Sequence, residues 1–144
     1  MPVLGIDLGK KRIGLAISDE SEQIALPAGV LESRGRKADL AAIRSLVSER
    51  GVSRVVVGLP LHMDGRAGPA AEAARAFATA LAGELGLPVE TLDERWSTVE
   101  AERTLRETGQ SRRERKTGAA DTLAATLLLR TYLERRSRAA VREP

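Results

Sequence analysis

The chain contains no cysteine in its 144 residues, which excludes a disulfide framework and any thiolate metal site. It has one histidine, His62. With no second His or Cys beside it, a zinc centre has too few ligands to be built there. Aromatic residues are reduced to one Phe, one Trp and one Tyr, so base stacking cannot be a main mode of nucleic-acid binding. There is no G-x-x-x-x-G-K-[ST] phosphate loop, no G-x-G-x-x-G fingerprint and no evident Ser/His/Asp set. No apolar run approaches the ~20 residues that span a bilayer. The short apolar run at the N-terminus carries Asp7 and does not read as a signal peptide. The expectation is a cytoplasmic protein without a membrane partner.

What is present is charge, unevenly placed. The formal net charge is only +3, but residues 95–142 are dense in arginine. Such a region suits a polyanion such as nucleic acid; the plainer alternative is codon bias toward arginine. The length fits one domain with a real core, expected over residues 1–136, followed by a charged, disordered tail over 137–144.

The opening stretch organises the rest. Two apolar runs, 3–8 and 13–18, flank Gly9-Lys-Lys-Arg12 and predict a β-hairpin. Strand alternation puts Asp7 on one face with Val3 and Gly5, opposite Leu4, Ile6 and Leu8. A third strand is expected over 23–32, with Pro27 suited to an edge or a bulge. A helix follows over 39–50, with Leu40, Ile43, Leu46 and Val47 at helical spacing and Gly51 as its stop. Residues 54–59 form a β-branched run that reads as a strand covered on both faces. A Gly/Pro loop over 60–69, an alanine-rich helix over 70–85 and a strand over 88–93 come next. Beyond them a helix over about 98–107, a basic loop over 108–116 and a last helix over 118–135 are expected. The last helix is expected to bury Ala120, Leu123, Ala124, Leu127, Leu128 and Thr131. An antiparallel meander followed by alternating strands and helices predicts an α/β fold, a five-stranded mixed sheet flanked by helices.

Three acidic positions interrupt apolar elements: Asp7 at the end of the first strand, Asp93-Glu94 at the end of the last, and Asp121 in the final helix. Each has a plain structural explanation. Asp7 can cap the turn or pair with Lys10 or Lys11, Asp93-Glu94 can form a polar strand exit beside Arg95, and Asp121 can pair with Arg115 or Lys116. Converging from separate elements, however, such carboxylates suit a hard divalent cation, Mg2+ or Mn2+. Two such ions can activate a water and stabilise the leaving oxygen in phosphodiester hydrolysis. Alternation alone does not decide between Asp93, which goes with Val89 and Thr91, and Glu94, which goes with Leu92.

Four segments, in this order, resemble the YqgF or RuvX family of pre-16S rRNA nucleases and Holliday junction resolvases. They are Gly5-Ile-Asp-Leu-Gly-Lys-Lys-Arg-Ile-Gly-Leu-Ala-Ile-Ser-Asp19, Val57-Gly-Leu-Pro-Leu-His-Met-Asp-Gly65, Asp93-Glu-Arg-Trp-Ser-Thr98 and Lys116-Thr-Gly-Ala-Ala-Asp-Thr-Leu-Ala-Ala125. The resemblance spans nearly the whole chain and departs from the family at His62, Trp96 and Thr117. It implies an RNase H-like, RuvC-like fold and a metal-dependent nuclease for structured RNA or branched DNA. It carries the catalytic and metal-binding roles to Asp7, Glu94 and Asp121, favouring Glu94 over Asp93. Lys10, Lys11, Arg12, Arg95 and Lys116 lie beside these acids in sequence and are expected to contact phosphates.

The leading expectation is 5′-end processing of pre-16S rRNA with Mg2+ or Mn2+. Resolution of four-way DNA junctions is the alternative within the same chemistry, and symmetric cutting there needs a homodimer. A nucleic-acid-binding factor that does not cleave is the alternative outside it. One half of an actin-like ATPase ranks last, because the chain is short for two lobes.

Overall fold

Along the first strand both alternating sets of side chains are apolar apart from Asp7, so the sheet must be covered on both faces. The computed structural model describes residues 1–61, 64–94 and 119–142, with the backbone alone for 119–121 and 140–142. It contains β1 (Val3–Leu8), β2 (Arg12–Ser18), β3 (Ala25–Glu32), α1 (Arg36–Arg50), β4 (Arg54–Leu59), α2 (Pro69–Leu85), β5 (Val89–Asp93) and α3 (Ala119–Arg142). The strands form one mixed sheet in the order β3-β2-β1-β4-β5. β3, β2 and β1 are antiparallel, whereas β1, β4 and β5 are parallel. The expected mixed sheet and its flanking helices are therefore present. The expected helix over 98–107 and basic loop over 108–116 lie outside the described residues.

Two cores sandwich the sheet. On one face Leu4, Ile6, Val55 and Val57 meet Ile43 and Val47 of α1 and Ala74, Phe77 and Leu81 of α2. On the other, Val3, Ala16, Val56 and Leu92 meet Ala125, Leu128, Leu129, Tyr132 and Leu133 of α3. Both α1 and α2 stop at glycines in the left-handed conformation, Gly51 and Gly86, each with φ 66°; a side chain at either would be strained. Pro27 occupies the edge strand, where its missing N–H leaves no ladder bond unmade. The β2–β3 register shifts beside it, from Leu15↔Gly29 to Ala16↔Pro27. In the preceding turn the Asp19 carboxylate accepts bonds from the Ser21 hydroxyl and from Ile24 and Gln23 N–H, which hold its pKa down to about 2.

α3 departs from expectation twice. Ala124 and Leu128 are buried as expected, but the buried face also takes in Ala125, Leu129, Tyr132 and Leu133, while Leu123 is 44% exposed. An Ala/Leu-rich helix offers several lines at 3.6-residue spacing, and the sheet selects among them. The helix also continues to Arg142, so most of the segment expected as a disordered tail is helical. Arginine, alanine and glutamate favour helix, and charge alone does not end one. An Arg130–Glu134 pair lies within it, and Arg136 reaches Glu22 of the β2–β3 turn at 2.9 Å.

α3 packs close because Gly5 has no side chain. A Cβ there would lie 2.9 Å from Leu129 Cβ and 3.3 Å from the Ala125 carbonyl oxygen. Both belong to a helix that can yield only as a unit. Gly5→Ala is therefore expected to lower stability by about 1–3 kcal/mol, measured by denaturant unfolding. An unchanged midpoint would show that α3 is less firmly seated.

Candidate active site

The carboxyl ends of the parallel strands β1, β4 and β5 all emerge at one end of the sheet, the position where α/β folds form ligand clefts. Asp7 stands there, 1% exposed, on the α3 face with Val3 and Gly5. Its flanking positions within the sheet are both glycine. Gly14 of β2 is its antiparallel partner. Gly58 lies one step beyond the Ile6↔Val57 pair of the parallel ladder. A buried carboxylate thus has side-chain-free backbone on either side.

The second acid approaches from β5. Glu94 follows the last residue of that strand, and its N–H donates to the Leu59 carbonyl at 3.2 Å, continuing the ladder by one residue. Alternation then puts Glu94 with Leu92, on the α3 face. Asp93 falls with Val89, which packs against the opposite core. Glu94 is 2% exposed, and its carboxylate occupies the space a side chain on Gly58 would take. A Cβ at Gly58 would collide with Glu94 Oε1 and lie 3.0 Å from its Cδ. Leu128 of α3 approaches the same point, with its Cδ2 3.3 Å away.

Asp7 and Glu94 are therefore brought to one buried face from β1 and the end of β5, with the bare backbone of Gly58 on the intervening β4 between them. The third acid, Asp121, belongs to the first turn of α3, four residues ahead of Ala125, whose carbonyl lies over Gly5. Among the described residues no group of three or more His, Cys, Asp or Glu side chains gathers as a metal site; the Asp121 side chain is not one of those described. Arg95 and Lys116 lie outside the described residues, as do His62 and Trp96. Lys10 and Lys11 are exposed in the β1–β2 turn, and Arg12 is half-buried beside them. The turn closes through Gly9 N–H donating to the Arg12 carbonyl at 2.8 Å.

The donor set fits a hard divalent cation. All the candidate ligands are carboxylate oxygens, the donor type that hard divalent cations take, and two are buried. Reading the sequence outward from Asp7 points to Gly5 and Gly9 but misses Gly58 and Gly14. A signal for Gly58 does exist: a glycine interrupting Val55-Val-Val57 in a strand core marks a close approach.

The comparisons agree with this architecture. A profile of the RuvX family, described as a Holliday junction resolvase, matches residues 1–135. A relative from Anaeromyxobacter sp. (strain Fw109-5), named "Putative pre-16S rRNA nuclease", is 50% identical over 136 residues, covering 94% of this chain and 98% of its own. A relative of the same name from Moorella thermoacetica is 47% identical over 94% of this chain and 96% of its own. Among solved structures, T. thermophilus RuvC in complex with a Holliday junction substrate superposes with a TM-score of 0.59 at 19% identity over 96% of both chains. The fowlpox virus Holliday junction resolvase superposes with a TM-score of 0.55 at 15% identity, over 94% of this chain and 99% of its own. These two likenesses establish the fold, which is that of RuvC and is RNase H-like. Near-complete coverage by the family profile and by relatives at about half identity makes this chain a member of the RuvX family.

Proposed function

We propose that the chain is a divalent-metal-dependent nuclease that hydrolyses phosphodiester bonds in structured nucleic acid, and that its substrate is the 5′ end of pre-16S rRNA. The observation that carries the reading is the buried pair Asp7 and Glu94, set over Gly58 at the carboxyl ends of the parallel strands. The substrate is suggested by the name borne by relatives at about half identity. The family description favours a second substrate, the four-way DNA junction, which would call for a homodimer.

Asp7, Glu94 and Asp121 would hold Mg2+ or Mn2+. Bound there, such an ion would supply the Lewis acidity that phosphodiester hydrolysis needs. The protein's own part is electrostatic and geometric. The sheet fixes Asp7 and Glu94 on rigid strands, and Leu128 shields them from solvent, where charge interactions are stronger than in water. Lys10, Lys11, Arg12, Arg95 and Lys116 would neutralise phosphates on either side of the cut. Among the described residues no helix is long and apolar enough to cross a membrane, and a cytoplasmic location fits an rRNA substrate.

Cleavage of end-labelled precursor RNA and of a synthetic four-way junction, with Mg2+, with Mn2+ and with chelator, tests the reading. Metal-stimulated cutting of the RNA is expected. Cutting of the junction alone would replace the proposed substrate with the second. Binding of either without cleavage under any metal would overturn the nuclease reading in favour of a non-cleaving factor.

A further inference from the structure

We propose that the β3–α1 loop joins the β1–β2 turn in a cationic ridge that grips the phosphodiester backbone beside the cleavage point, with Asp39 as its positioning residue. The inference deepens the nucleic-acid reading and rests on it. The ridge comprises Lys10, Lys11 and Arg12 of the turn and Arg34, Arg36 and Lys37 of the loop and the start of α1. Strand topology puts both at the same end of the sheet as Asp7 and Glu94. β3 runs antiparallel to β2, so Glu32 pairs with Arg12, and the chain leaves β3 beside the turn. The two segments are joined directly, Ser33 N–H donating to the Lys11 carbonyl at 2.9 Å. β3 lies two strand spacings from β1, about 10 Å, so the loop would hold substrate beside the acids rather than on them.

Five of the six cations are exposed and Arg12 is half-buried. None of the six makes an ion pair with a described residue, although Glu32 stands opposite Arg12 in the sheet. Elsewhere Arg44, Arg54 and Arg136 each hold a glutamate. Six cations against two acids, Glu32 and Asp39, leave the adjoining segments net positive, a repulsion that an external polyanion relieves.

The loop is also held in shape. Asp39 is 5% exposed, buried within α1, and its carboxylate turns back to the chain before the helix. It accepts the Ser33 hydroxyl at 2.6 Å and the Arg34 N–H at 2.9 Å. Gly35 between them has φ 107°, a conformation other residues rarely adopt. A loop fixed by charge-assisted bonds presents Arg34 and Arg36 with less ordering cost on binding.

The test is binding of the full-length chain to a labelled RNA hairpin and a four-way DNA junction without divalent metal, by fluorescence anisotropy across a salt series. The triple variant Arg34→Ala, Arg36→Ala, Lys37→Ala is expected to weaken binding about tenfold or more and to lower the salt slope by about two to three. A control removing the same charge from the helical layer, Arg44→Ala, Arg50→Ala, Arg75→Ala, is expected to lower the slope by less than about one. Equal effects of the two triples would overturn the ridge. Asp39 gives a test of opposite sign. Removing an acid next to a basic loop should tighten binding if net charge alone matters, whereas loss of the fixed loop should weaken it. Asp39→Ala is expected to weaken binding, and Asp39→Asn, which keeps an acceptor for Arg34 N–H, to retain most of it. Tighter binding by a folded Asp39→Ala would overturn the positioning role; if that variant does not fold, tighter binding by a folded Asp39→Asn would do so. The two readings fail separately. Cleavage by the wild type with an unaltered salt slope in the first triple removes the ridge alone. A lowered slope in a protein that never cleaves removes the nuclease alone.

Discussion

Asp7→Asn is expected to leave a folded chain that still binds nucleic acid but cuts it at least about 10²–10³-fold more slowly, the scale of losing one group that stabilises developing charge. The substitution keeps side-chain volume at a site 1% exposed, so neither a cavity nor overpacking is created. It removes the negative charge that a hard cation needs. The readout besides cleavage is thermal. A cation that binds only the folded state stabilises it by about 2.7 kcal/mol at a hundred times its dissociation constant. Mg2+ or Mn2+ should therefore raise the wild-type midpoint and raise that of Asp7→Asn less. Undiminished turnover together with an undiminished metal shift would remove Asp7 from the site.

The face on which Asp7 stands was legible from alternation alone, because β1 is regular: β2 pairs with it without interruption through residues 4–8 and β4 through residues 3–6. β4 matched its expected bounds for a similar reason: a β-branched run between Ser53 and Pro60 leaves little choice. The helix stops at Gly51 and Gly86 were visible because a left-handed C-terminal glycine is a local requirement. What failed to show was whatever depends on distant partners. Which of Asp93 and Glu94 stands on the α3 face depends on whether the ladder continues one residue past the strand, as the Glu94 N–H bond to the Leu59 carbonyl makes it do. The line of α3 that meets the sheet depends on where the sheet is bare. Leu129, 0% exposed, sits over Gly5, and Leu123 turns outward, although both are leucines of one helix. The first turn of α1 was missed because Arg36, Lys37 and Ala38 show no apolar period, and Asp39, read as a helix-start residue, is bonded back to the loop instead.

The same dependence makes Gly58 the sharper probe of the site. Gly58→Ala adds one methyl group where the Glu94 carboxylate lies, and the collision is with the far end of a flexible side chain rather than with backbone. The fold can absorb it by swinging Glu94 aside, at a cost expected near the low end of about 1–3 kcal/mol for overpacking. Catalysis cannot absorb it, because a displacement of about 1 Å in a group that must be positioned costs on the order of 10²-fold. Gly58→Ala should thus lose activity on about that scale while unfolding only slightly earlier. Gly5→Ala, whose obstacle is the Leu129 Cβ and helix backbone, should show the reverse balance, with stability lost first. Measuring turnover and unfolding free energy for both variants separates the two roles of glycine on one sheet face. If Gly58→Ala kept full turnover, Glu94 would not be needed where it stands, and the carboxylate pair at the strand ends would lose its claim to the chemistry.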